Sequence, residues 1–245
     1  EGAFVDPPIR RAISTAIDRR FMIDTIFFGY GKPATSALSS NFSATNLHAS
    51  MPNYPEKGDT VAANAMLDKA GYKKDANGVR MKAVLDIIPY GEDWRRAGEY
   101  LKQAMGDIGI QLELRYEDVP TWLKRVYHNY DFEMNVNYFY QLPDPVLGVH
   151  RHYGTDQIRK GTHFVNSSRY SNPKLDALLD SGAGEPDAAK RTAKYKEIQQ
   201  ILADDMPVVN LFELEFLVVY NTKLKGVYGS AMGAYGSFRE GYLDD

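Results

Sequence analysis

A chain of 245 residues, of which 44% are hydrophobic, is long enough to bury a sizeable core in one large domain or two small ones. Its formal net charge of −3 gives no basic field for nucleic acid or an anionic membrane, and the absence of cysteine excludes disulfides and thiolate chemistry. No apolar run reaches the roughly 18–20 residues of a membrane-spanning helix. The first residues carry neither an initiator Met nor a signal-peptide pattern, so we expect a processed chain or a piece of a longer one.

Two helices are predicted at the start of the chain. Asp6 and two prolines precede apolar residues spaced i, i+3, i+4, i+7 and i+8 from Ile9 to Ile17, which predicts a capped amphipathic helix. Asp18 then predicts the cap of a second helix, which a pair of glycines ends. Residues 32–58 are rich in Ser, Asn, Pro and Gly, and this composition predicts a long irregular connection.

The middle of the chain predicts alternating helices and strands. The order is a helix from Asp59 or Thr60, a buried strand at 84–88, a helix at 94–108, an alternating strand at 110–116 and a short helix from Asp118. This pattern is typical of an α/β layer, in which helices pack on a sheet.

The next predicted strand carries the first functional candidates. Residues 132–140 alternate between two faces and then run into a loop with Pro143 and Pro145, which end the strand. The end of this strand would carry Tyr138, Phe139, Tyr140, Gln141 and Asp144. Because ligands on open α/β sheets bind in the crevice at the strand ends, these side chains are candidates for ligand contact. In the alternative interpretation, the aromatic residues belong to the core and Asp144 caps a turn.

The last part of the chain predicts two further helices and a β-prone segment. After a loop at 142–169, Asn172 predicts the cap of a helix, and a polar break at 181–187 separates this helix from a longer one. Residues 208–220 are strongly β-prone, whereas the glycine-rich tail at 226–241 has little pattern.

One cluster combines the residue types of metal ligands: His150, His152, His163, Asp144 and Asp156. On an extended segment, His150 and His152 would point to the same side and could share an ion, although spacing fixes no third ligand. Surface or ligand-contacting histidines are the other interpretation. Arg151 could instead meet a ligand carboxylate, which a guanidinium binds through two hydrogen bonds. No nucleophile elbow or phosphate loop accompanies this cluster.

A series of short motifs runs in one order along nearly the whole chain. The motifs are Phe4-x-Asp6-Pro7-x-Ile9-Arg10-x-Ala12-Ile13, Ala16-Ile17-Asp18-Arg19, Ala63-x-x-Met66-Leu67-x-x-Ala70-Gly71-Tyr72, Ile108-Gly109-Ile110, Trp122, Tyr130-Asp131-Phe132, Asp144-Pro145, Tyr170-x-Asn172-Pro173-x-Leu175-Asp176-x-Leu178-Leu179 and Arg191-x-x-x-Tyr195-x-x-x-Gln199. Together they resemble the family 5 extracellular solute-binding proteins, which are the oligopeptide-, dipeptide- and nickel-binding components of ABC importers.

The resemblance implies an α/β fold, namely a lobe like that of type II periplasmic binding proteins with a mixed sheet flanked by helices. Residues 1–225 would form the C-terminal ligand-binding lobe, and residues 226–245 would return towards a missing N-terminal lobe. The implied function is non-catalytic: a small peptide or peptide-like solute is captured in the periplasm and passed to the permease of an ABC importer. We expect no cofactor and no metal site, and the net charge of −3 favours no nucleic-acid partner.

The resemblance transfers the ligand site only in part. Peptide-binding members hold the free amine of the ligand with an aspartate three residues before the Asp-Pro pair, where this chain has Gln141. A neutral amide cannot replace that charge. The expected cavity-facing residues are Tyr138, Phe139, Tyr140, Gln141 and Asp144, with Tyr90, His150 and Arg151 as further candidates. The alternatives are a metal-dependent hydrolase built on His150 and His152, and a docking module without a ligand.

Overall fold

The computed structural model describes residues 2–42, 54–142, 144–227 and 236–244. The α-helices are α1 (Pro7–Ala16), α2 (Arg19–Phe21), α3 (Thr60–Lys69), α4 (Glu92–Asp107), α5 (Val119–Leu123), α6 (Val149–Tyr153), α7 (Pro173–Ala183) and α8 (Ala188–Asp205). The strands are β1 (Gly31–Pro33), β2 (Met81–Ile87), β3 (Ile110–Tyr116), β4 (Met134–Val136), β5 (Phe212–Leu214), β6 (Leu224–Lys225) and β7 (Tyr242–Leu243). Two π-helical turns, Met22–Ile26 and Lys124–Asn129, continue α2 and α5.

Some predicted segments lie partly outside the described ranges. These are residues 43–53 of the predicted irregular connection, Pro143 of the predicted loop, and residues 228–235 of the predicted tail. No helix within the described ranges combines the length and the apolarity that crossing a membrane requires.

A parallel sheet in the order β3-β2-β4 forms the centre of the fold, which confirms the predicted α/β layer. β2 pairs along its whole length with β3, from Met81 opposite Ile110 to Ile87 opposite Tyr116. The connection between these strands is α4, which buries Trp94 and Leu101 in the same apolar core as the strands. Because parallel neighbours end at the same edge, the chain leaves β2 and β4 side by side.

The two long predicted strands in the second half of the chain are much shorter in the structure. From the predicted strand at 132–140, only β4 pairs, and the pairing stops opposite Ile87, where β2 ends. Beyond it, the backbone N–H of Tyr138 donates to Oδ1 of Asn137 at 2.8 Å. From the β-prone residues 208–220, only β5 pairs, with β1. β1 lies at the start of the region predicted to be irregular, and β1 and β5 become neighbours only in the folded chain.

The N-terminal motif supplies arginines that join distant parts of the chain. Arg10 donates from Nε to the carbonyl of Met206 at 2.6 Å and from Nη2 to that of Asp205 at 2.7 Å, which satisfies the last carbonyls of α8. Arg19 is fully buried and donates to the carbonyls of Ser14 and Asn210. Burial lowers the pKa of Arg19 to about 10. These arginines therefore have structural roles.

Most of the predicted helix caps are confirmed. Asp18, Asp59, Asp118 and Asn172 each accept a hydrogen bond from a backbone N–H in the first turn of the helix they precede. The prediction for Asp6 is wrong, because its side chain caps no backbone group and instead accepts a hydrogen bond from the hydroxyl of Tyr72 at 2.8 Å.

A second apolar cluster joins α6, α7 and α8. Its fully buried members include Val149, Leu175, Tyr195 and Ile198. The predicted polar break is shorter than expected, since α7 continues to Ala183 and α8 begins at residue 188. The predicted loop at 142–169 contains α6 and two 3₁₀ turns, so it is not extended throughout.

Candidate functional site

Five aromatic rings meet beyond the carboxyl ends of β2 and β4. They belong to Tyr90, Trp94, Tyr138, Tyr140 and Phe216, which we call the aromatic cluster. Tyr90 follows β2, and Tyr138 and Tyr140 follow β4, so the parallel pairing of these strands accounts for their proximity. This edge of an open α/β sheet is where ligands bind most often.

Tyr138 lies at the centre of the aromatic cluster. Its ring is stacked on that of Trp94, with the centroids 5.6 Å apart and the planes 19° apart. Its centroid is also 5.6 Å from those of Tyr90 and Tyr140 and 5.8 Å from that of Phe216. Tyr140 and Phe216 form a second stacked pair at 5.6 Å. These distances lie in the range in which aromatic pairs attract each other, so the cluster has a defined shape.

The aromatic cluster has a buried base and an exposed rim. Trp94 is buried and Tyr138 is half-buried, whereas Tyr90, Tyr140 and Phe216 are 38%, 44% and 55% exposed. Burial raises the pKa of the Tyr90 hydroxyl, so this side chain stays neutral. Adjacent exposed aromatic rings on a rigid base are typical of a surface that a ligand or another domain covers.

Phe216 is a member of the aromatic cluster that sequence reasoning missed. It follows β5, and the antiparallel pairing of β5 with β1 directs the chain towards Tyr138 and Tyr140. The available signal was the β-prone run at 208–220, but the spacing within that run does not indicate which ring reaches the sheet edge.

The amide of Gln141 is bonded to the backbone of a neighbouring segment. Its Oε1 accepts a hydrogen bond from the N–H of Ser39 at 2.7 Å, and its Nε2 donates to the carbonyl of Ala37 at 2.7 Å. The backbone of Gly148 also lies against it, because a Cβ at that position would be 2.8 Å from Cγ of Gln141. The structure therefore places Gln141 between two segments of the protein, with its amide bonded on both sides.

Asp144 is bonded within the protein as well. Its Oδ1 accepts from the N–H of Val146 at 2.9 Å, which begins a 3₁₀ turn, and from Nη2 of Arg191 at 2.6 Å. The guanidinium of Arg191 holds the pKa of Asp144 below its ordinary value. The bond to Val146 is the turn cap that the structural interpretation of Asp144 predicts, whereas the pair with Arg191, which connects the loop after β4 with α8, was not predicted.

His150 and His152 do not lie on an extended segment, so that prediction is wrong. Both belong to α6, and residues two apart on a helix point about 200° away from each other. Nε2 of His150 is 3.2 Å from Oδ1 of Asp156, whereas the ring of His152 is buried 3.9 Å from that of Phe139. Burial lowers the pKa of His152 to about 3. The described residues contain no group of three or more His, Cys, Asp or Glu side chains arranged to hold a metal ion.

The predicted site residues thus fall into three sets. Tyr90, Tyr138 and Tyr140 lie in the aromatic cluster. Phe139, Gln141, Asp144 and the neighbouring His152 pack or bond inside the protein, and we call these four the brace. The third set is His150 and Arg151, which lie on α6; Arg151 is exposed and donates to the carbonyl of His163 at 3.1 Å.

A buried carboxylate on β2 escaped the sequence analysis. Asp86 is fully buried, with Oδ1 3.4 Å from Nη1 of Arg115 and 3.7 Å from Nε of Arg125. Burial raises its pKa to about 6 despite these cations. Arg125 also pairs with Glu117 at 2.6 Å. The apolar residues around Asp86 led us to expect only a buried strand here, and its partners come from elements distant in sequence.

Comparison with known proteins finds one family model that matches this chain. Residues 1–159 match the model described as bacterial extracellular solute-binding proteins, family 5 Middle. The match covers the N-terminal helices, the parallel sheet and all but one member of the aromatic cluster.

Curated relatives and solved structures align with most of this chain, but the chain spans less than half of their length. Protein XP55 of Streptomyces lividans is 27% identical over 91% of this chain and 40% of its own length. The probable D,D-dipeptide-binding periplasmic protein DdpA of Escherichia coli is 26% identical over 89% of this chain and 40% of its own length. The oligopeptide-binding protein AppA of Bacillus subtilis, solved with a nonapeptide, superposes with a TM-score of 0.78 at 21% identity, over 98% of this chain and 48% of its own. This superposition confirms the predicted periplasmic-binding-protein fold.

Proposed function

Because the chain belongs to the bacterial extracellular solute-binding proteins of family 5, we propose that it is the C-terminal lobe of a longer solute-binding protein. Residues 1–225 form the lobe, and residues 226–245 return towards the other lobe. The proposal is supported by the chain's length, which is about 40% of that of the curated relatives it matches. Like the family, the protein works outside the cytoplasm and supplies an ABC importer permease.

The aromatic cluster is the wall that this lobe contributes to the ligand cavity. The observation that carries this proposal is its exposed rim of Tyr90, Tyr140 and Phe216 on a buried base at the carboxyl edge of the sheet. A small peptide or peptide-like solute stacks its side chains or its amide planes on these rings. The names of two relatives, a D,D-dipeptide-binding protein and an oligopeptide-binding protein, support a peptide ligand.

The brace supports this wall and does not bind the ligand's free amine. Gln141 bonds to backbone groups, and Asp144 is paired with Arg191, so neither offers an unpaired carboxylate to an ammonium group. A free amine, where the solute has one, is therefore bound by the other lobe. On this lobe, recognition relies on stacking and on the tyrosine hydroxyls.

The other lobe closes over the aromatic cluster by hinge motion, as two-lobed binding proteins do. Exposed apolar residues beyond β5 support this closure, because Leu217 and Val219 are 62% and 96% exposed and continue from Phe216. Contiguous exposed apolar side chains mark surfaces that another domain or molecule covers. Separate from that lobe, this chain binds its solute weakly, since half of the cavity wall is absent.

The protein acts by binding and not by catalysis. The hydrolase alternative required His150 and His152 to hold one ion, and α6 directs them to different neighbours. A docking module that binds no solute is the remaining alternative. It differs from our proposal in one observable, which is whether small solutes bind at the aromatic cluster.

Native mass spectrometry with a pool of dipeptides and tripeptides tests the proposal, on this chain and on the longer protein that contains it. We expect a peptide adduct that is strong for the longer protein and weak for this chain. The double variant Tyr140→Ala, Phe216→Ala should lose the adduct, whereas Tyr242→Ala, which removes an exposed tyrosine on β7, should keep it. Absence of any adduct on the longer protein, or an adduct that the double variant retains, would favour the docking module.

A further inference from the structure

Two histidines outside the aromatic cluster point their imidazoles at each other. His128 lies in the π-helical turn after α5, and His163 lies in the loop after the 3₁₀ turn at residues 155–157. Their Nε2 atoms are 2.9 Å apart, and their ring centroids are 5.1 Å apart. The proposed capture of a peptide uses neither residue.

The surrounding structure holds this histidine pair in place. The ring of His163 packs 5.9 Å from that of Tyr127, and the guanidinium of Arg151 donates to the carbonyl of His163. The N–H of Gly161 donates to the carbonyl of Tyr127 at 2.8 Å, which attaches the loop to the turn. Gly161 has φ of +87°, a left-handed conformation that side chains disfavour, so the loop is built to pass close to the turn.

We propose that His128 and His163 together bind a divalent transition-metal ion through their Nε2 atoms. Without a metal, one ring must donate its Nε2–H to the lone pair of the other. A metal ion replaces this shared proton and accepts both lone pairs. The two Nε2 atoms are already adjacent, so binding requires rotation of the side chains and little rearrangement of the backbone.

The chemistry of the two imidazoles indicates which ions fit best. The 2.9 Å between the Nε2 atoms is the length of a hydrogen bond between the rings, so the side chains turn when they share an ion. Imidazole is a ligand of copper, nickel and zinc, and the affinity of such a site for divalent ions is generally highest for Cu²⁺. We therefore expect Cu²⁺ to bind more tightly than Ni²⁺ or Zn²⁺.

The proposed site is open on the solvent side. His128 is exposed and His163 is half-buried, and the described residues place no third His, Cys, Asp or Glu ligand beside them. Water molecules or the donor atoms of a small chelating molecule therefore complete the coordination. We expect an accessible, exchangeable site, in contrast to a structural metal site, which the protein closes with its own ligands.

Isothermal titration calorimetry of the untagged chain with CuCl₂, NiCl₂ and ZnCl₂ in a non-coordinating buffer tests the proposal. We expect one equivalent of Cu²⁺ to bind, with Ni²⁺ and Zn²⁺ weaker, and electron paramagnetic resonance of the Cu²⁺ form to report two imidazole nitrogens. His128→Ala and His163→Ala should each abolish this binding. His128→Gln, which keeps a hydrogen-bonding side chain at an exposed position, should abolish it too without disturbing the fold.

Two control variants test whether another histidine binds the ion instead. His150→Ala should bind Cu²⁺ like the parent chain, and so should His48→Ala, whose position lies outside the described residues. Circular dichroism at equal concentration checks that every variant is folded. Failure of the parent to bind Cu²⁺, or binding by His128→Ala and His163→Ala that equals that of the parent, would overturn the proposal. Loss of binding in His150→Ala would overturn it as well.

Discussion

Successive side chains after β4 point to opposite sides of the chain and therefore have different neighbours. Tyr138 and Tyr140 join the aromatic cluster, whereas Phe139 packs against the buried His152 and Gln141 bonds to the backbone. The period of two that characterises a strand thus persists beyond the last paired residue, Val136. One predicted site consequently divides into a ligand-facing half, which is the aromatic cluster, and a supporting half, which is the brace.

This difference teaches that a candidate residue at a strand end must be assigned by its partners as well as by its position. In the brace, the amide of Gln141 and Oδ1 of Asp144 are already bonded to the protein. The rim of the aromatic cluster is exposed to solvent. Variants of the brace should therefore change stability first, and variants of the rim should change binding first.

The largest expected effect on stability is the acid sensitivity that His152 confers. Burial lowers its pKa to about 3, whereas the unfolded chain takes up this proton below about 6.5. The stabilising neutral state is thus fully present above pH 6.5 and is lost as the pH falls towards 3. Relative to His152→Leu, the parent should lose about 2.3 kcal/mol between pH 6.5 and 4.5. Urea unfolding at both pH values measures this difference, and parallel pH profiles of the two proteins would contradict it.

Replacing Gln141 should cost less, but enough to identify it as part of the brace. Gln141→Ala leaves the carbonyl of Ala37 and the N–H of Ser39 without their partner, which we expect to destabilise the fold by about 2 kcal/mol. Gln141→Glu keeps the acceptor for Ser39 but sets a carboxylate oxygen against the carbonyl of Ala37, so it should be at least as destabilising as Gln141→Ala. The urea midpoint measures both. A change in peptide binding without a change in stability would move Gln141 from the brace to the ligand-facing half.

Asp144 should have a smaller effect, because its carboxylate is partly exposed and solvent screens its pair with Arg191. Asp144→Ala removes both that pair and the hydrogen bond to the N–H of Val146, and we expect a loss of about 1 kcal/mol. Asp144→Asn retains an acceptor for the N–H and should lose less. Thermal unfolding of the two variants checks this order, and equal losses would assign the whole effect to the charge.

Tyr140 and Phe216 should have the smallest effects on stability. Both rings are largely exposed, so Tyr140→Ala and Phe216→Ala should each change the free energy of unfolding by less than about 1 kcal/mol. Each should nevertheless weaken peptide binding by the longer protein, since the stacking surface shrinks. Parallel measurement of urea midpoints and peptide affinity separates the two quantities. A large loss of stability with unchanged affinity would assign these rings to the core.

Much of the fold was predictable because it depends on local patterns. The helices from Asp59 and Asn172 and the strand Ile110–Tyr116 follow from caps and periodicity within a few residues. Some motif residues far apart in sequence also prove to be partners, as Tyr72 with Asp6 and Arg191 with Asp144. No pattern in a single sequence reveals such pairs.

Of the candidate site, only the residues at the ends of β2 and β4 were predictable. Alternation indicated Tyr138 and Tyr140, but the inclusion of Phe216 depends on the long-range pairing of β5 with β1. The interpretation of His150 and His152 failed because α6 is a helix of only five residues, too short for a periodic signal. Asp86 escaped attention because a single buried charge does not disturb an otherwise apolar strand pattern.

Fluorine NMR of the chain labelled with 5-fluorotryptophan tests most directly whether the aromatic cluster binds the solute. The chain has two tryptophans: Trp94 lies in the aromatic cluster, and Trp122 is buried against Tyr127. Titration with dipeptides and tripeptides should shift the Trp94 resonance in a saturable way and leave the Trp122 resonance in place. Tyr140→Ala should abolish the shift. A Trp94 resonance that stays in place in both this chain and the longer protein would contradict the account.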